Sequence, residues 1–332
     1  MKAALIGNGG IAKEHRAGYS LLKEEGYDLE LVAICDVREE RLSENDGART
    51  YTSVDEMLKN EPDLDFVDIC LPTYLHAEYS IKCMKAGLNV LCEKPMALTE
   101  EETQAMLECA KETGKKFMIA HSCRFGSYAT VVHDFILEQK FGRPLTALFT
   151  QIQGFPRGGF ENWFADSDKS GGAMLDLQAH NIDLITWFFG MPKAVSTVAA
   201  ERDDFKGYSS ISSNFIYGDG LYAHTYCDWS VSNEKYQGRE FRINFENGYI
   251  YQSGVKKVLV AVDKDGNETD LKPFSTMSSS TKRNEIHYFA EAIKNKTLVR
   301  MCLPEESAKV VKIMRAQEKS ANNDGMPVYL KD

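Results

Sequence analysis

A short apolar run, Ala3 to Ile6, stops in Gly7-Asn8-Gly9-Gly10-Ile11-Ala12, and a helix-forming stretch begins at once. A strand that ends in glycines and turns directly into a helix leaves the chain few architectures. The first glycine permits a tight turn, the second lets the backbone approach a pyrophosphate, and the third position must be small so that strand and helix can pack. Here the third position is Ala12. The helix N-terminus then offers free N–H groups and a positive dipole to phosphate oxygens. Gly7, Asn8, Gly9, Gly10 and Ile11 are therefore candidate dinucleotide-binding residues.

The rest of the first third repeats this rhythm. Nearly unbroken Val/Ile/Leu runs at 2–6, 29–35, 66–71, 89–92 and 116–120 alternate with helix-like stretches at 11–25, 54–59, 77–86 and 100–113. Such runs read as strands buried on both faces. Thr99 and Glu102 form a capping-box pattern before the last of these helices, and Gly114 closes it. Strands alternating with helices predict a doubly wound parallel sheet. After about residue 125 the pattern changes. One apolar helix is predicted at 172–189, then strands at 194–200, 211–217, 221–228, 240–244 and 257–262 with short turns between them, and helices at 285–294 and 305–321. The expected fold class is α/β: an N-terminal Rossmann domain at 1–122, and a C-terminal α+β domain at 123–332 built on a mainly antiparallel open sheet. The final helix is a candidate to pack back on the first domain.

The second strand ends at Asp36, 24 residues after Ala12. A carboxylate there can accept hydrogen bonds from the ribose hydroxyls of an adenosine and repel a 2′-phosphate, which favours NAD over NADP. Arg38, two residues on, could hold a 2′-phosphate, so NADP stays open.

Bulk properties narrow the partners. With 39 Lys and Arg against 49 Asp and Glu, the net charge is −10, a poor match for nucleic acid or an anionic membrane face. The eight cysteines include no Cys-x-x-Cys pair, and several lie inside apolar runs. Buried reduced thiols fit better than a disulfide frame or a metal knuckle. The apolar run at the N-terminus is too short for a signal peptide, and no stretch approaches the ~20 apolar residues of a membrane span. The expectation is a soluble, cytoplasmic protein with no metal.

Three further segments carry chemistry. Leu71, Pro72, Thr73 and His76 follow the strand at 66–71, and Glu93-Lys94-Pro95 follows the strand at 89–92. In an open parallel sheet, ligands bind beyond the carboxyl ends of the strands. The third segment runs from Gly171-Gly172 through Asp176 and His180 to Asp183 on an otherwise apolar helix. Residues four apart share a helix face, so Asp176, His180 and Asp183 are expected to form one polar stripe. Polar groups in such a helix need partners. A structural Asp–His hydrogen bond, a general base with its orienting carboxylate, and a metal pair all satisfy that need, although no further His or Cys ligand lies at local spacing.

Together, the glycine loop, the run from Leu71 to His76, Ala86-Gly87-Leu88-Asn89-Val90-Leu91-Cys92-Glu93-Lys94-Pro95, the run from Gly171 to Asp183 and Glu285-Ile286-His287-Tyr288-Phe289 resemble the Gfo/Idh/MocA family of glucose–fructose oxidoreductases and inositol dehydrogenases. The resemblance implies an NAD(P)-dependent oxidoreductase that moves a hydride between a secondary alcohol of a sugar or polyol and the nicotinamide. Carried over, Lys94 polarises the substrate oxygen, His180 takes the hydroxyl proton and Asp176 orients. It further implies cofactor contacts from Leu71, Pro72, Thr73, His76, Glu93 and Lys94, and substrate contacts from Lys94, His121, Arg124, Trp163, Asp176 and His180. The second domain's open sheet would form a homodimer or homotetramer contact. Two departures bear on substrate choice: Trp163 is followed by Phe164 where the family often has a basic residue, and His121-Ser122-Cys123-Arg124 stands where an Asn or Arg pair is more usual. The alternative from another class is a noncatalytic dinucleotide-binding redox sensor.

Overall fold

The computed structural model describes residues 1–156, 158–203, 205–229 and 237–330. In chain order the first elements are β1 (Lys2–Ile6), α1 (Gly10–Glu24), β2 (Glu30–Cys35), β3 (Arg49–Tyr51), α2 (Val54–Asn60), β4 (Phe66–Ile69), α3 (His76–Lys85), β5 (Asn89–Glu93), α4 (Glu100–Thr113) and β6 (Phe117–Ala120). Next come α5 (Ala129–Leu137), β7 (Pro144–Ile152), α6 (Ser167–Ser170), a π-helical turn (Ala173–Leu177) and α7 (Ala179–Phe189). The strands β8 (Ala194–Arg202), β9 (Phe205–Ile216), β10 (Tyr222–Asp228), β11 (Gly238–Phe245), β12 (Gly248–Ser253), β13 (Val258–Asp263) and β14 (Glu268–Asp270) follow. The chain closes with α8 (Thr281–Lys294), α9 (Pro304–Ala321) and β15 (Val328–Tyr329).

These elements form two compact units. The first comprises Met1–Phe125, Gly159–Glu161 and Ser278–Ala308. Its six strands run in the order β3-β2-β1-β4-β5-β6, with every neighbouring pair parallel. The order reverses between β1 and β4, which makes the ends of those two strands the switch point where ligands bind. β1, β4 and β5 are apolar almost throughout because helices cover both faces of a parallel sheet. On one side α8 closes the core: Ile286 and Phe289 are fully buried with Tyr19, Leu22 and Phe66, and the rings of Phe66 and Phe289 meet edge to face at 5.5 Å. Burying each such side chain contributes about 1.5–3 kcal/mol.

The second unit comprises Gly126–Gly158, Asn162–Met277 and Lys309–Asp332. Its nine-stranded sheet has the order β14-β13-β12-β11-β7-β10-β9-β8-β15. Neighbours are antiparallel except β7 and β10. The α/β class expected from the sequence, a parallel Rossmann sheet followed by a mainly antiparallel one, is the class observed.

Several details differ from the sequence reading. The helix that joins the first unit is α8, while the division between units falls inside α9. α8 begins at Thr281 rather than 285, because the Ser280 side chain accepts the Arg283 N–H and caps it. The single helix expected at 172–189 is broken: the Gln178 N–H donates to the Ala173 carbonyl, five residues back, before α7 starts. All eight cysteines are buried, and none is in a disulfide. Among the described residues, no helix is long and apolar enough to cross a membrane.

Candidate active site

The turn after β1 is built around Gly7. Its φ is +91°, and a Cβ there would lie 2.5 Å from the Cys70 carbonyl oxygen at the end of β4. Only glycine tolerates both demands. The adjacent Asn8 is buried, and its side-chain amide donates to the Arg41 and Glu44 carbonyls at 2.7 and 2.9 Å. Asp36, at the tip of β2, accepts the Asn8 N–H on Oδ2 at 2.8 Å. Its Oδ1 accepts the Arg38 N–H at 3.0 Å and the Arg38 Nε at 3.3 Å. Arg38 also lies over the Phe160 ring, 5.4 Å from its centroid. Ile11 is exposed in the first turn of α1.

The loops after β4 and β5 are tied to each other through His76. The ring is buried, with Nδ1 2.8 Å from the Pro95 carbonyl and Nε2 2.9 Å from the Leu71 carbonyl. Burial pushes His76 below its ordinary pKa, so a neutral ring donates one N–H between two acceptors. Thr73 is buried beside it, and Leu71 and Pro72 are half-buried. His76 thus braces these loops from inside, where the sequence placed it among cofactor contacts.

Glu93 is also turned inward. It is 4 % exposed, and its Oε1 receives both His15 Nε2, at 2.9 Å, and the Lys282 ammonium. Oε2 accepts the backbone N–H of Lys94 at 3.0 Å. On the far side of the His15 ring, Nδ1 meets Asp68 Oδ2 at 2.8 Å, and Tyr19 donates to the same oxygen at 3.1 Å. Lys282 also reaches Glu285 Oε1 at 3.1 Å. Burial by itself would lower His15 and Lys282, but the facing carboxylates, Asp68 for His15 and Glu285 and Glu93 for Lys282, hold both well above their ordinary values. Burial would raise Glu93, yet Lys282 and His15 hold it well below the usual carboxylate range. Burial raises Glu285 to about 7, with Lys282 opposing. The His15 ring and the Lys282 ammonium therefore face three carboxylates, Asp68, Glu93 and Glu285. Ligand atoms of His15, Glu93 and Glu285 lie within 4.8 Å of one another, and the Lys282 ammonium sits against both of these carboxylates. Sequence spacing missed Lys282, which sits 189 residues from Glu93. A readable sign existed: Lys282 and Glu285 fall on the same α8 stripe as Ile286 and Phe289.

In the second unit, every residue across 172–185 is buried except Asp176 and His180. Asp176 lies in the π-helical turn and His180 in the first turn of α7. Asp183, expected on the same stripe, is fully buried instead, although it lies only three residues after His180 within α7. Single π turns inside α-helices occur often at functional sites. Gln178, between these two half-buried residues, anchors this turn to the sheet. Its Oε1 accepts from Thr225 and from Gln317, both at 2.9 Å, and Gln317 donates in turn to Ser213 at 2.7 Å.

The remaining expected substrate residues are engaged within their own units. His121 is 1 % exposed with Nε2 2.7 Å from Ser307 Oγ. Arg124 is equally buried and pairs with Glu306 at 2.6 Å. Half-buried Trp163 packs on Phe164 at 4.0 Å. For His121 and Arg124 the structure gives an inward, bracing placement that single-sequence reading could not separate from a substrate contact.

The residues at the switch point fit a dinucleotide. α1 opens with no side-chain cap and no acidic residue in its first turn. A Cβ at Gly9 or Gly10 would meet nothing within 4 Å, leaving backbone N–H groups open to a pyrophosphate. Fold and site together define a two-unit α/β protein with a Rossmann dinucleotide domain. Residues 1–121 match the family model described as oxidoreductase family, NAD-binding Rossmann fold, and residues 130–251 match the Gfo/Idh/MocA C-terminal domain. The chain belongs to the Gfo/Idh/MocA oxidoreductase family. It is similar to levoglucosan dehydrogenase of Pseudarthrobacter phenanthrenivorans, 29% identical over 208 residues that cover 60% of this chain and 53% of that protein. It is also similar to D-glucoside 3-dehydrogenase of Escherichia coli, 28% identical over 206 residues, 60% of this chain and 57% of that protein. The matched segments thus span little more than half the length of these curated relatives. A solved levoglucosan dehydrogenase in complex with NADH and levoglucosan superposes with a TM-score of 0.89 at 20% identity, covering 100% of both chains.

Proposed function

We propose that the protein is an NAD-dependent dehydrogenase or reductase acting on a secondary alcohol of a sugar, polyol or derivative. The observation that carries the reading is that Asp176 and His180 alone are only half-buried along an otherwise buried helical stretch at 172–185. An imidazole and a carboxylate left partly accessible on an apolar helix are suited to moving a proton. In this reading His180 takes the hydroxyl proton, Asp176 orients the base and the substrate, and the Lys94 ammonium donates to the reacting oxygen. The nicotinamide, when bound, gives or accepts the hydride. Lys94 stands at the carboxyl end of β5, on the same sheet edge as the glycine loop after β1. NAD is favoured over NADP because Asp36 is anionic at the ribose position and Arg38 is already bonded to it. The relatives' names, levoglucosan dehydrogenase and D-glucoside 3-dehydrogenase, support a sugar-like substrate.

The same reading includes a homodimer or homotetramer. One face of the nine-stranded sheet carries the exposed Leu148, Val198, Ile216 and Tyr222, apolar side chains that a second copy of the sheet could cover. Light scattering on the purified chain tests this part: a monomer removes it.

The activity is tested by NADH and NADPH fluorescence titration followed by turnover on levoglucosan, methyl glucosides and inositols. Tight NADH binding with turnover on one of these supports the proposal. Dinucleotide binding with no turnover on any of them sinks it and favours a redox sensor.

A further inference from the structure

The buried cluster beneath β5 has a geometry that the proposed reaction does not use directly. Glu93 has two carboxylate oxygens with divided duties. Oε1 faces the core, held between His15 Nε2 at 2.9 Å and the Lys282 ammonium. Oε2 faces the chain and accepts the Lys94 N–H at 3.0 Å. Both clamping residues are themselves fixed. His15 is fully buried and backed by Asp68 at 2.8 Å, and Lys282, at 4 % exposure, is backed by Glu285 at 3.1 Å. A carboxylate gripped from α1 and from α8 cannot swing, so the peptide N–H that it holds cannot either.

We infer that His15 and Lys282 are positioning residues for Lys94: by clamping Glu93 Oε1 they fix Glu93 Oε2, which holds the Lys94 backbone and so sets where its ammonium starts from. The inference rests on the reading of Lys94 as a group that touches the substrate. Its physical basis is that buried charges are costly unless paired, so a carboxylate bonded on both sides here is held in one geometry. A displacement of about 1 Å at a reacting group can cost about 100-fold in rate. The effect of the clamp should therefore appear in turnover more than in cofactor or substrate affinity.

Two measurements test it, on the full chain with Lys282→Met and with the milder His15→Gln. The first needs no substrate. Residue-resolved amide exchange of the cofactor-free protein should show the Lys94 N–H exchanging about 10- to 100-fold faster in each variant. The Val90 N–H, bonded to Lys116 O within the same sheet at 2.9 Å, should keep its wild-type rate. A Lys94 amide as protected as in wild type overturns the clamp, and so does parallel loosening of Val90, which would signal general destabilisation. Should Lys282→Met not fold, His15→Gln carries the same comparison. The second measurement is a double-mutant cycle, made with the compound turned over in the panel above and normalised to NADH bound. Each clamp variant should lose about 10- to 100-fold in kcat with KM within about threefold, and should lose little more when Lys94→Ala is already present. An equal loss in the Lys94→Ala background overturns the inference. Full kcat in the clamp variants while Lys94→Ala is inactive overturns the inference alone, whereas full turnover in Lys94→Ala removes the reading on which it rests.

Discussion

The Asp36 carboxylate accepts the backbone N–H of Asn8 at 2.8 Å, joining the tip of β2 to the turn after β1. Oδ2 makes this single bond while Oδ1 takes both Arg38 donors, and a carboxylate has about four acceptor sites. Capacity therefore remains for a ribose hydroxyl. Asp36→Ala should weaken NADH binding by about 10- to 100-fold, since a hydrogen bond to a charged group contributes about 1.5–3 kcal/mol. NADPH binding should fall less or improve, because the charge that repels a 2′-phosphate is gone and Arg38 is released. Fluorescence titration with both cofactors measures the two shifts, and unaltered affinity for both would remove the ribose assignment.

Gly7 and Gly9 should separate stability from binding. At Gly7, alanine meets the Cys70 carbonyl and a φ of +91°, so Gly7→Ala should destabilise the first unit by about 1–3 kcal/mol or more. At Gly9 the φ is −84° and a Cβ meets nothing within 4 Å. Gly9→Ala should leave the denaturation midpoint nearly unchanged yet weaken NADH binding about 10-fold or more, since the methyl group would hold a pyrophosphate off the backbone. Urea denaturation and titration of both variants would expose a wrong assignment as equal effects on stability.

The glycine loop and the Rossmann rhythm were legible because each rests on local signals: unbroken apolar runs, a capping box at Thr99 and Glu102, and glycines between a strand and a helix. β3 was not, since Arg49–Tyr51 is three residues long with two of them exposed. β7 was missed although it is central to the second sheet, because Pro144–Ile152 mixes Thr and Gln with its apolar residues. The π turn was invisible for another reason. Asp176, His180 and Asp183 keep α-helical spacing in sequence, and nothing in that spacing announces a Gln178-to-Ala173 bond. The bracing of Glu93 by Lys282 depends on α8 packing against the first sheet, a tertiary fact with no local signal beyond two charges on an apolar stripe.

The His15 imidazolium should give a pH-dependent share of stability. Burial would lower its pKa, but Asp68 holds it well above the ordinary value. A raised folded value means that the folded state binds the proton more tightly. This stabilisation is full below the ordinary value of about 6.5 and is lost as pH rises through the higher folded value. Wild type should therefore exceed His15→Gln in Tm most clearly at pH 6, with the gap narrowing on the alkaline side. Glu285, raised to about 7, also makes stability fall as pH rises, between its ordinary value and 7. His15 opposes that rise, so the pair is compared in a Glu285→Gln background, where the difference isolates His15. A gap that widens with pH would mean that the ring is neutral in the fold.

His180 and Asp183 lie three residues apart in α7, yet they should fail in opposite ways. Asp183 is fully buried, so Asp183→Ala should lower stability by about 1–3 kcal/mol through the polar groups it leaves unmatched, with kcat per folded molecule close to wild type. His180 is only half-buried on the same helix. His180→Ala should leave Tm nearly unchanged and cut kcat by about 100- to 10,000-fold, the range for one acid–base group, and Lys94→Ala should do the same with NADH binding largely retained. Thermal unfolding and steady-state kinetics on the three variants decide the matter. The proton-transfer role belongs to His180 only if its loss is kinetic, and a His180→Ala protein that is unstable but fully active per folded molecule would return this histidine to the structural scaffold.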